Sequence, residues 1–147
     1  MMAADRATLG SGLLLAGGVV AAVAIAVGGA WAVSALTLIP RLQHIGSHVS
    51  FTVGLAVLVI AVWRFGSTRA PRGAGWVTKL LTAGLAIILA GQLLEGIGAF
   101  GWAEYDGYLV VNPGLALAHK VGMALFVPGF LTLVAGGVLT LVKLIRR

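Results

Sequence analysis

Apolar residues in this chain gather into long unbroken stretches separated by short polar breaks, with neither the alternation of a half-buried strand nor the stripe of a soluble helix. The stretches cover about residues 9–38, 43–63, 77–100 and 115–142. Each reaches the roughly 20 residues that a hydrocarbon core about 30 Å thick demands. Backbone groups in lipid must bond within their own segment, so the spans are expected to be helices. The pattern predicts an all-α fold, an integral membrane four-helix bundle, with 1–147 as a single transmembrane domain. Pro40 and Pro113 stand just before the second and fourth spans and mark helix starts. Pro128 lies inside the fourth span, where a kink or an accommodating neighbour is expected.

Composition points the same way. Of 147 residues, 60% are apolar and 10% charged, with a mean hydropathy of +1.07. A soluble domain this small must cover itself with charge, and this chain has too little, so the lipid bilayer is its expected partner. The 22 glycines suit close helix approach in a bilayer. The absence of Cys excludes disulfides, thiolate metal sites and dithiol redox chemistry. The apolar run after Arg6 is too long for a signal h-region.

The net charge of +6 would suggest nucleic acid in a soluble protein, but here it reads as topology and no nucleic-acid partner is expected. Arg64, Arg69, Arg72 and Lys79 flank the loop between the second and third spans, and Lys143, Arg146 and Arg147 end the chain. The opposite loops carry Arg41, Glu104 and Asp106. The positive-inside rule then predicts a multi-pass protein of the cell membrane with the N- and C-termini cytoplasmic. Trp63 and Trp76 fall at the inner boundary, and Trp102, Tyr105 and Tyr108 at the outer one, as an aromatic belt.

Ionisable residues inside membrane helices cost about 2.5–3.5 kcal/mol each and are functional candidates by default. This chain has His44, His48, Glu95, His119 and Lys120, with Gln92 as an uncharged companion. The second and fourth helices both start outside. His48 lies eight residues past Pro40 and His119 six past Pro113, which at about 1.5 Å per residue is the same depth to within a turn. Glu95 is five residues before the outer end of the third span at Phe100. His44 is one turn above His48 on the same face. The histidine-bearing layer is thus expected on the extracytoplasmic side. For each residue a bland role stands beside the chemical one: interfacial for the histidines, a protonated bundle carboxyl for Glu95, snorkelling for Lys120.

Two facing histidines suit three chemistries. One is a haem held between imidazoles of a helical bundle, with small residues nearby (Gly46, Ser47, Ser50, Gly122, Ala124) and Arg41 and Lys120 near propionates. Another is a metal ion on His44, His48 and His119. The last is a proton or quinone site. Haem is favoured, because the ligands occupy equivalent places in two helices.

With these residues placed, residues 43–142 resemble half of a haem A synthase, a family built from two similar four-helix halves whose second and fourth helices carry histidines near the outer face. The segment VVNPGLALAHKVGMALFVPGFLTLV has the family's Pro and then a ligand His opening an Ala- and Leu-rich helix. AIILAGQLLEGIGAF is similar to its Gln-x-x-x-Gly stretch, at Gln92 and Gly96. HVSFTVGLAVLVIAVWR resembles its His-led helix ending in Trp and a basic residue. The family's acidic residue before the second-helix histidine is absent from RLQHIGSH, and its paired cysteines are absent too.

The resemblance implies oxidation of the C8 methyl of haem O to a formyl group, giving haem A for terminal oxidases. It implies a bis-histidine haem b on His48 and His119, with His44 as the alternative ligand. Arg41 and Lys120 would lie near propionates and Gln92 in the cofactor layer. Glu95 is inferred as the proton-handling group, and a homodimer would rebuild the eight-helix arrangement. The alternatives are a small b-type cytochrome passing electrons, and a cofactor-free structural subunit of a respiratory complex.

Overall fold

A computed structural model describes residues 2–69, 75–100, 102–105, 108–111 and 113–145. The protein is an all-α membrane protein. Its first span is α1 (Met2–Val23), a π-helical segment (Ala24–Gly28) and α2 (Gly29–Leu36), in continuous succession. Next come α3 (Pro40–Arg69), α4 (Gly75–Phe100) and α5 (Pro113–Ile145). Pro40 and Pro113 each open a helix, and α5 runs through Pro128. Four stretches are long and apolar enough to cross a membrane: Leu13–Leu36, Pro40–Arg64, Gly75–Phe100 and Leu115–Leu139. Their 24 to 26 residues rise about 36–39 Å, beyond the roughly 30 Å hydrocarbon core.

The exposure pattern is the reverse of a soluble protein's. Leu14, Trp31, Leu36 and Leu38 are largely exposed, and the buried apolar side chains are few and mostly small. Such a surface is stable only against lipid. Extensive contact runs between helices consecutive in the chain: the first span with α3, α3 with α4, and α4 with α5.

Glycine builds the tightest of these contacts. Gly84, Gly91 and Gly98 recur every seven residues on α4, and Gly122, Gly129 and Gly136 do so on α5. The helices run antiparallel with the two series facing. A Cβ on Gly91 would lie 2.8 Å from the Gly122 carbonyl oxygen, one on Gly84 2.9 Å from that of Gly129, and one on Gly136 2.8 Å from Leu81 Cδ2. The seven-residue repeat keeps one seam facing its partner along both helices. On the other flank of α3, Gly54 sits against the π segment, where a Cβ would meet the Ala22 carbonyl oxygen at 2.6 Å and Ala26 Cβ at 2.8 Å.

The turn from α2 to α3 is closed by Gln43, whose Nε2 donates to the carbonyls of Ser34 (3.2 Å) and Thr37 (2.7 Å). These lie at the helix end, where carbonyls lack intrahelical partners. Between α4 and α5 the all-helical expectation needs one addition. Trp102–Tyr105 (β1) and Tyr108–Val111 (β2) pair antiparallel as a short hairpin, with Tyr105 opposite Tyr108. The side chains of Arg69, Arg72, Trp102, Glu104, Tyr105, Asp106, Tyr108, Lys143, Arg146 and Arg147 lie outside the described residues, so the charge asymmetry and the outer aromatic belt rest on sequence.

Candidate functional site: a three-histidine layer

His44 and His48 stand one turn apart on the face of α3 that meets α4 and α5. Their rings pack edge to face, with centroids 4.6 Å apart at 84°. His119 reaches the same place from α5. Its ring centre is 6.1 Å from that of His48, at 86°, and 6.3 Å from that of His44, at 44°. The depth argument from sequence therefore holds for all three imidazoles.

The third side is α4. Gln92 is buried, and its Nε2 donates to His48 Nδ1 at 2.6 Å. Rotating that amide by half a turn gives the alternative bond, in which Oε1 accepts from Nδ1–H. Glu95 Oε2 lies 3.9 Å from the same Nδ1, with both side chains largely covered. The carbonyl oxygen of Glu95 approaches His119 Nδ1 at 3.5 Å. One turn of α4 thus addresses the Nδ1 of a histidine on each flanking helix.

Glycine makes this proximity achievable. A Cβ on Gly98 would lie 2.8 Å from the His119 backbone nitrogen and 2.7 Å from its Cβ. One on Gly122 would lie 2.7 Å from the Glu95 backbone nitrogen. Gly96 is roomier, 3.5 Å from His48 Cβ. The end of the glycine seam at Gly98 and Gly122 is therefore the floor of the histidine layer.

Other expected members are placed differently. Arg41 stands at the start of α3, where its Nη2 donates to the Phe100 carbonyl at 2.9 Å and closes the end of α4. Lys120 is exposed. Two of the small residues expected to flank a cofactor serve helix packing with the first span instead: a Cβ on Gly46 would collide with Val33, and Ser50 lies against Gly29. Ser47 bonds the carbonyl of Gln43. Among the described residues, no group of three or more His, Cys, Asp or Glu side chains is arranged to hold a metal ion. No protein-family model, no curated protein and no solved structure matches this chain.

Proposed function

We propose that this chain is a haem-binding membrane protein in which His48 and His119 are the axial ligands of one haem b. The observation that carries the reading is the 6.1 Å between their ring centres. Two imidazoles brought this close from different helices of a bundle are a donor set that would hold haem iron. His48 is preferred to His44 because Gln92 fixes its Nδ1, as outer partners of ligating histidines do. With each Nδ1 approached by α4, Nε2 would be the nitrogen that binds iron. A bound haem would supply one-electron redox chemistry, and Glu95 would hold or pass a proton beside it.

The resemblance sets the reaction: oxidation of the haem O C8 methyl to a formyl group, yielding haem A. By the same reading Arg41 stands near a propionate at the outer edge, and the positive-inside rule puts the layer on the extracytoplasmic side. Two copies would rebuild an eight-helix assembly.

The test is a reduced-minus-oxidised absorption spectrum of protein made with ample haem. A sharp low-spin α-band is expected, lost in both His48→Ala and His119→Ala. A folded, colourless wild-type protein would overturn the reading in favour of a structural subunit. Co-expression with a haem O source separates the two haem readings. Haem A in extracts, lost in Glu95→Gln with the α-band retained, supports the enzyme. Haem B and haem O alone, with redox function intact in Glu95→Gln, leave a b-type cytochrome.

A further inference from the structure

At the membrane face opposite the histidines, an open cavity of about 410 Å³ lies along the start of α4 beside Trp63 of α3, lined also by Gly75, Thr78, Lys79, Thr82, Ala83 and Ala86. That volume is within the roughly 300–1,000 Å³ of small-molecule sites. Two features on its wall favour a phosphate. Gly75 begins α4 and lines the cavity, so the positive end of the helix dipole is at the mouth. Lys79 brings a cation one turn in.

A further feature lies deeper. The hydroxyls of Ser34, Ser47 and Thr132 each bond the carbonyl four residues back. The Thr82 hydroxyl does not: its Oγ1 is fully covered and has no hydrogen-bond partner among the described residues. Thr82 lines the cavity, and a change of χ1 would offer this hydroxyl either to the Thr78 carbonyl or to a ligand acceptor. Leaving a buried hydroxyl unsatisfied is costly, and a ligand acceptor at this depth relieves it.

The spacing suits an amphiphile. Thr82 is seven residues into α4, about 10 Å from its start, and so below the polar headgroups when Gly75 lies among them. We propose that this cavity binds an anionic phospholipid, with the phosphate at Lys79 and the α4 N-terminus and a glycerol ester carbonyl at Thr82. The acyl chains lie along the apolar groove between α3 and α4.

Native mass spectrometry of the full chain, equilibrated with equimolar phosphatidylglycerol and phosphatidylcholine, tests this. Wild type should retain phosphatidylglycerol at least about fivefold over phosphatidylcholine, and Lys79→Gln should bring the ratio near one. Thr82→Val, nearly isosteric, should lower total retained lipid while keeping the ratio, and it supplies a readout if Lys79→Gln does not fold. Equal retention of both lipids by wild type, or an unchanged ratio in Lys79→Gln, overturns the proposal. Inorganic phosphate that abolishes the preference at millimolar concentration would identify a free-anion site and overturn the lipid assignment. None of these readouts depends on haem, so a colourless protein would leave them intact.

Discussion

Gln92 is the buried polar residue on which the histidine layer turns. Its amide reaches His48 in a setting where water cannot replace it. Gln92→Leu should therefore cost about 1–3 kcal/mol, the penalty for an abandoned buried partner. Thermal unfolding in detergent measures the loss. If His48 is an axial ligand, the same variant should also weaken or shift the α-band, because the ring loses its fixed orientation. At this scale the sequence was informative about depth and uninformative about rotation. A rise of about 1.5 Å per residue sufficed to bring His48, His119 and Glu95 to one level. It could not show that Gly46 and Ser50 turn toward the first span, or that Lys120 stays exposed, because a helix's rotation is set by its neighbours' shapes.

Between α4 and α5 the decisive quantity is the space at each glycine. Gly98→Ala and Gly122→Ala drive a methyl into backbone across the seam, and each should destabilise the protein by about 1–3 kcal/mol. Among the described residues, a Cβ on Gly17 or Gly137 would meet nothing within 4 Å. Alanine there should be neutral or slightly stabilising, since Ala is the better helix former by about 1 kcal/mol. Unfolding midpoints of the four variants check the contrast. Gln43→Leu belongs with them: it strips donors from the Ser34 and Thr37 carbonyls and should cost about 1–3 kcal/mol if nothing replaces them.

Helix number and the proline starts were legible from sequence. So, in hindsight, was the seam: a glycine count implies only close approach, whereas the seven-residue repeats in both helices identify which faces meet. The hairpin also had a signal, since Asp106-Gly107 between aromatic and β-branched residues is a two-residue hairpin signature. The π segment had none. Its residues, Ala-Ile-Ala-Val-Gly, are those of any membrane helix, and its geometry belongs with the tight approach of Gly54.

At the scale of the whole molecule, four crossings by the four candidate spans would put both ends on one side of the bilayer. The absence of native cysteine makes this directly measurable. A single cysteine at Ala4 or Thr68 should react with an impermeant maleimide from one side only, and one at Ala103 from the other. Labelling of Ala4 and Ala103 variants from the same side would refute the topology. In intact cells, protection of the first two and labelling of the third would support the cytoplasmic assignment of the ends.

The order of helix contacts also bears on biosynthesis. His44 and His48 enter the bilayer with α3, whereas His119 arrives with the last span. At about 5–20 residues per second, the roughly seventy residues between His48 and His119 take about 4–14 s to synthesise. Through that interval the α3 imidazoles have no counterpart across the layer. The seam that seats His119 beside Glu95 cannot close until α5 is threaded beside α4. Maturation of this protein is thus timed by its C-terminal helix, and a ribosome stalled before Pro113 would leave a chain anchored in the bilayer without its third histidine.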